Sequence, residues 1–206
     1  MRIVELVKQL EQEGRRPTPE EAALLTKFTG WGASEIANGI FPDRYGRYKD
    51  ANWQALGERL KAALTPEEYD QAKRTTQYAH YTSEGVIRSV YDALQRMGFA
   101  GGKVLEPGMG IGLFNGLMPA SMAASSQYTG VEYDGLTGAI AKLLYPQSNV
   151  IVGDFTKTAM PREFFDAAIG NPPFSSTVIS NDPEYKKHGF MLHDYFGYLQ
   201  NEVGNG

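Results

Sequence analysis

The tetrapeptide Asn171-Pro172-Pro173-Phe174 closes the short apolar run "FDAAIG". Proline cannot donate to a sheet ladder, so a strand must stop here. The Asn171 side-chain oxygen and the Pro172 carbonyl are two acceptors that can take both hydrogens of one exocyclic amine. Holding those hydrogens localises the nitrogen lone pair for attack on a methyl group, and it stabilises the positive charge that develops on nitrogen. Pro172 and Pro173 stiffen the turn. Phe174 offers a face on which a planar base can stack, worth roughly 1–3 kcal/mol. The plainer reading is a rigid loop with Phe174 plugging the core.

Three further segments carry chemistry of a related kind. In "LEPGMGIG", Glu106 is followed by Gly108, Gly110 and Gly112. The glycines let a backbone turn tightly and approach a ligand closely. The spacing is not the dinucleotide pattern G-x-G-x-x-G, because the third glycine comes one residue too soon. A carboxylate ahead of the glycines would repel a pyrophosphate and suits a ligand bearing an ammonium group. Glu132 follows Glu106 by 26 residues, and an acid there can accept both hydroxyls of a ribose. In "VGDF", Asp154 can accept from an adenine amino group and Phe155 can stack on the ring. Each has a bland counterpart: a glycine-rich turn, an acid after a strand, a cap. Together they describe a nucleoside-like ligand with an amino group.

These residues need elements to position them. "KVLEP", "QYTGVEY", "NVIVGDF" and "FDAAIGNPP" are strand-sized apolar runs, and "LFNGLMPASMAA" and "LTGAIAKLLYP" read as helices between the first three. Alternating strands and helices predict right-handed crossovers and a parallel sheet. Ligands of such sheets sit beyond the C-terminal ends of the strands, where all four segments above lie. Upstream, "TSEGVIRSVYDALQRMGF" places Val86, Ile87, Val90, Tyr91 and Leu94 at helical spacing. Residues 1–75 read as a helical extension, and residues 76–206 as the α/β core. Ile3, Leu6, Val7 and Leu10 share one helical face that Gly14 ends, and Thr18-Pro19-Glu20-Glu21 and Thr65-Pro66-Glu67-Glu68 both open helices. A short helix is expected from Ser34, and "GFMLHDYFGYLQNEV" fits a last helix.

Bulk properties exclude several classes. At 206 residues the chain suits one domain with an extension, and no apolar run approaches the roughly 20 residues that span a bilayer. No cysteine is present, so disulfides and thiolate metal sites are ruled out. His80, His188 and His193 show no ligand spacing, and no metal is expected. The N-terminus acquires charges too early for a signal peptide, and a cytoplasmic location follows by default. Net charge is −4, with 12 basic and 12 acidic residues in positions 1–80 and 8 basic against 12 acidic in the remainder. This argues against a generally basic nucleic-acid binder, though not against a local basic groove. Packing against the sheet is the simplest role for residues 1–75, with Arg44, Tyr45, Arg47 and Tyr48 as the sharper reading, a basic-aromatic DNA contact. Lys186-Lys187-His188 is read first as a solvated run.

Taken together, the chain resembles the class I S-adenosylmethionine-dependent methyltransferases, and within them the adenine-N6 DNA methyltransferases in the gamma-like motif order. "LEPGMGIG" resembles the cofactor loop of that family, which implies contacts from Glu106, Pro107, Gly108, Gly110 and Gly112. "VEYD" resembles its ribose-binding acid, with Glu132 and Tyr133; "GDF" resembles its adenine-binding segment, with Asp154 and Phe155. "NPPF" is similar to its catalytic tetrapeptide. "QYAHYTSEGVI" resembles the segment that helps bind the methionine end of the cofactor, with Tyr81 and Thr82 the best matches and His80 a weaker one. "LLTKFTGWGASEIANGIF" is similar to the N-terminal region of large methylase–helicase proteins of phages, plasmids and conjugative elements.

The resemblance implies a Rossmann-like three-layer α/β sandwich, S-adenosyl-L-methionine as cofactor, and DNA as partner, with the target adenine flipped from the duplex. It also implies seven strands, whereas the sequence stops 32 residues after Phe174. The expectation is therefore a core cut after its fourth strand, completed by the remainder of a longer chain or by another subunit. Two alternatives share the fold: methylation of an rRNA base or a protein glutamine amide, and a cofactor-binding or interaction module without turnover.

Overall fold

The computed structural model describes residues 1–76, 81–161 and 163–171. Pro172, Pro173 and Phe174, His80 and the expected last helix lie outside the described residues.

Local sequence signals account for the N-terminal helices. Helix α1 (Arg2–Glu13) ends at Gly14, whose φ of 60° is the left-handed cap that glycine adopts without a Cβ penalty. Its inner face is Val4, Val7 and Leu10, with Ile3 and Leu6 at the flank, so the buried stripe is turned by one residue from the expected one. Helices α2 (Pro19–Leu25) and α5 (Pro66–Thr75) open with full capping boxes. Thr18 and Thr65 accept from the amides of Glu21 and Glu68, and those glutamates accept in return from the threonine amides. Proline sits at the first position of each, where the missing N–H is not needed. Between them lie α3 (Ser34–Gly39) and α4 (Ala51–Ala63), the latter capped by Asp50.

The remaining elements build the sheet. Helix α6 (Glu84–Arg96) buries Ile87 and Tyr91, while Val86 of the expected face is exposed. Strand β1 (Lys103–Pro107) leads to α7 (Leu113–Leu117) and α8 (Ala120–Ala123), which Pro119 separates where one continuous helix was expected. Strand β2 (Gln127–Glu132), helix α9 (Gly135–Leu144), strand β3 (Asn149–Val152) and the short β4 (Ala167–Ala168) complete the order. The four strands are parallel and lie in the order β3-β2-β1-β4, a Rossmann-like arrangement that reverses direction between β1 and β4. Register runs from Lys103 opposite Gln127 to Pro107 opposite Val131, and from Thr129 opposite Asn149 to Glu132 opposite Val152. Glu106 and Glu132 therefore reach the same end of the sheet.

Period-two alternation divides the core between the faces. Val104, Tyr128 and Val150 pack with Ile87, Tyr91, Phe114 and Met122 beneath α6 to α9. Leu105 and Val131 point the other way and pack with Phe155 and Phe165. A separate cluster joins the N-terminal helices to the sheet unit: Val7, Leu10, Leu25, Trp31, Leu60 and Tyr69 are continuous with Ile111, Leu136 and Ile140. Helices α1, α2 and α5 all pack on α9. Residues 1–75 were expected to pack against the sheet; they pack instead on helix α9, whose Leu136 and Ile140 face them.

Candidate functional site

A cavity of about 370 Å³ opens at the C-terminal ends of β1, β2 and β3. Its lining takes in Tyr81, Thr82, Glu106, Gly108, Gly110, Glu132, Tyr133, Asp154, Phe155 and Asn171. These are all but two of the expected site residues that fall within the described residues. The exceptions are Pro107, the last residue of β1, and Gly112. A Cβ at Gly112 would run into the Tyr145 ring, which makes this a packing glycine.

The loop after β1 is held by the acid that ends β2. Gly110 donates its amide to Glu132 Oε2 at 2.8 Å, and Asp134 donates its amide to Glu132 Oε1 at 2.8 Å. Gly110 has a φ of +58°, and a Cβ there would sit 3.2 Å from the Tyr81 ring. Only glycine gives both this turn and room for Tyr81. Glu132 is 9% exposed, and burial pushes its carboxyl up to about 7, against the pull of the Asp134 and Gly110 amides. A carboxylate offers about four lone-pair sites, so Glu132 can take a further donor.

Glu106 is more deeply set, at 3% exposure. Burial pushes its carboxyl up to about 8, opposed by the Tyr128 hydroxyl and reinforced by nearby Glu132. Tyr128 donates to Glu106 Oε2 at 2.5 Å. The pair of raised carboxyls is what a low-dielectric cavity with like charges produces. A cationic ligand group would draw both back to their ionised forms.

Asp154 caps a short 3-10 turn, Phe155–Lys157. Its Oδ1 accepts from the Thr156 amide at 3.0 Å and hydroxyl at 2.7 Å, so the capping role expected as its alternative is real. It also lines the cavity, and Phe155 lines the cavity while packing with Leu105, Val131 and Phe165. Asn171 stands at the wall two residues after Ile169, whose amide donates to Leu105 O at 2.9 Å. That bond ties the chain after β4 to β1.

Sequence reasoning missed the contribution of the N-terminal helices. Gly30, Trp31, Arg74 and Thr75 also line the cavity. Arg74, on α5, donates to the Tyr133 hydroxyl at 3.3 Å. Gln71, on the same helix, accepts the Gly135 amide at 2.9 Å, satisfying a free N–H at the start of α9. Burial pushes the Asp134 carboxyl up, opposed by Thr137 and then by the Trp31 indole. The indole faces that carboxylate, yet neither Trp31 Nε1 nor Asp134 Oδ2 closes a hydrogen bond of good geometry. The glycine- and aromatic-rich composition of "KFTGWG" is the only signal the sequence carries here, and it does not say where Trp31 points.

No family model matches the chain. It is 31% identical over 97 residues to Defense against restriction protein B of Escherichia phage P1, a stretch covering 46% of this chain and 4% of that protein. Among solved structures it is similar to the type I restriction-modification system methyltransferase subunit of Streptococcus thermophilus, at 15% identity over 98% of this chain and 52% of that one, with a TM-score of 0.47. A provisionally assigned class I S-adenosylmethionine-dependent methyltransferase of Listeria monocytogenes gives 13% identity, 97% and 69% coverage and a TM-score of 0.48. The chain thus spans a small fraction of the phage protein.

Proposed function

We propose that this chain binds S-adenosylmethionine in the cavity at the strand ends and directs methyl transfer to the N6 amino group of adenine in DNA. The observation that carries the reading is the convergence of Tyr81, Glu106, Glu132, Asp154 and Asn171, far apart in sequence, on one cavity of about 370 Å³. That volume is in the range of small-molecule and cofactor sites, roughly 300–1,000 Å³.

The donor set fits the cofactor. Glu132 would accept the ribose hydroxyls on its remaining lone pairs, with its two oxygens fixed by the Gly110 and Asp134 amides. Glu106 would face the ammonium group, whose charge offsets the cost of ionising a buried acid. The close approach of the backbone at Gly110, beside Tyr81, leaves the cradle that a Cβ would fill. When bound, S-adenosylmethionine supplies an electrophilic methyl group on a sulfonium. Asn171 would accept a hydrogen of the adenine amine, and the adjacent Pro172 carbonyl the other, orienting the nitrogen lone pair toward that methyl. The motif resemblance of "NPPF" supports an amine as the target. The partial likeness to a phage protein named for defence against restriction supports DNA as the setting.

The test is calorimetric titration of S-adenosylhomocysteine into the purified chain and its Glu132→Ala variant. Methyl transfer is then assayed on adenine-containing duplex DNA, rRNA and a release factor, with Asn171→Ala alongside. Binding lost in Glu132→Ala is expected, together with DNA transfer slowed about 10²–10³-fold in Asn171→Ala. A folded chain that binds no S-adenosylhomocysteine, or transfer that survives Asn171→Ala, overturns the reading.

A further inference from the structure

The loop that follows Phe41 displays a basic-aromatic cluster outside the cavity. Arg44, Tyr45 and Arg47 are exposed, Tyr45 at 66%. The guanidinium carbons of Arg44 and Arg47 lie 4.8 and 5.0 Å from the Tyr45 ring centroid. One ring thus holds two cations in cation–π contact.

The display is built and held. Asp43 Oδ1 accepts from the amides of Tyr45 at 2.8 Å and Arg47 at 2.9 Å. Its Oδ2 accepts from the Arg47 side chain at 3.1 and 3.0 Å. The Asp43 amide donates to Arg47 O at 2.9 Å, closing the turn. Arg47 is partly neutralised by this pairing. Arg44 has no carboxylate partner among the described residues.

Both ends of the loop are anchored in the fold, the first of them beside a residue that lines the cavity. Phe41 lies 5.9 Å from Trp31, ring centre to ring centre, and Trp31 lines the cavity. Tyr48 is half-buried, its ring against Gly57 of α4. The four residues singled out in the sequence therefore divide: Tyr48 is an anchor, and the other three face water.

We propose that the Arg44–Tyr45–Arg47 loop is a DNA backbone contact. It rests on the proposed function in taking DNA as the substrate. The chemistry is that of phosphodiester recognition. Guanidinium groups bind phosphate oxygens in a fork, and a preorganised fork loses less side-chain freedom on binding. On a chain of net charge −4, such a contact must be local, and this loop is a place where cations are clustered and held.

The experiment is fluorescence anisotropy of a labelled adenine-containing DNA duplex, without cofactor, across about 50 to 200 mM salt. The wild-type chain is compared with Arg44→Ala, Arg44→Glu and Tyr45→Ala. None of these side chains takes part in the Asp43 network, and melting temperature with S-adenosylhomocysteine titration checks that fold and cavity are unchanged. Several-fold weaker DNA binding is expected, with a salt slope smaller by about 1 in Arg44→Ala, and a larger loss in Arg44→Glu. Wild-type affinity and slope in all three variants overturn the loop assignment and leave the proposed function standing. An RNA duplex bound more tightly than DNA through the same residues overturns the loop as a DNA contact and counts against DNA as the substrate. A wild-type chain that binds DNA through the loop but no S-adenosylhomocysteine supports the contact and overturns the proposed function instead.

Discussion

The amide of Gly110 donates to Glu132 Oε2 at 2.8 Å, linking the turn after β1 to the end of β2 across a separation of 22 residues. The glycine loop and the acid are thus one unit: the loop takes its shape from the carboxylate, and the carboxylate takes its orientation from the loop. Replacing Glu132 with Gln puts an NH₂ group against one of two backbone N–H donors. The expected loss is about 1–3 kcal/mol of stability, from an unsatisfied buried donor. S-adenosylhomocysteine affinity should fall with it. Urea denaturation and calorimetry measure the two effects.

Gly110→Ala tests the other partner of that bond. The residue would be strained at a φ of +58°, and its Cβ would press on Tyr81 at 3.2 Å. A left-handed non-glycine residue costs roughly 1–2 kcal/mol. The variant should melt lower than wild type and bind S-adenosylhomocysteine more weakly.

Stability should depend on pH in a defined direction. Burial raises Glu106 from an ordinary 4.5 to about 8, and Glu132 from 4.5 to about 7. Between pH 4.5 and about 8 the folded chain holds protons that the unfolded chain has released. These groups therefore stabilise the fold at the acid end of the window, and the benefit is lost as pH rises through the folded values. Thermal melting in the absence of ligand should show the melting temperature falling from pH 5 toward pH 8. Glu106→Gln should flatten that fall, and a profile no flatter than wild type would count against the assignment.

Arg74→Met keeps the aliphatic stem and removes the hydrogen bond to Tyr133. Arg74 is exposed, so stability should change by no more than about 0.5 kcal/mol. Tyr133 lines the cavity beside Glu132, so S-adenosylhomocysteine affinity should nonetheless drop several-fold. Calorimetry on the variant, set against its unchanged melting temperature, separates the two.

Leu136 is fully buried on α9, in the cluster shared with α1, α2 and α5. Leu136→Ala should cost about 2–5 kcal/mol. The N-terminal helices should unfold together with the sheet, as one transition by circular dichroism and by Trp31 and Trp53 fluorescence. A separate early transition of the tryptophans would mean that the cluster does not couple the two parts.

What the sequence determined by itself was the set of local and periodic features. Thr18-Pro19 and Thr65-Pro66 announce helix starts because capping is a contact between residues three apart. The four strand-sized runs announce a parallel sheet because alternation with helices leaves few other connections. Such sheets place ligands beyond their strand ends, so the strand pattern alone makes Glu106, Glu132 and Asp154 neighbours. Only the tertiary structure decided what crosses the chain at long range. Trp31 and Arg74 reach the cavity because α9 presents Leu136 and Ile140 to the N-terminal helices, and no spacing within residues 1–75 encodes that docking. Gly112 belongs to packing rather than to the cavity because the Tyr145 ring, 33 residues on, occupies the space where its Cβ would be. Tyr48 turned inward while Tyr45 stayed in water because Gly57 on a neighbouring helix leaves room for one ring. Pattern fixes which residues share a face; the fit between faces fixes which of them meet.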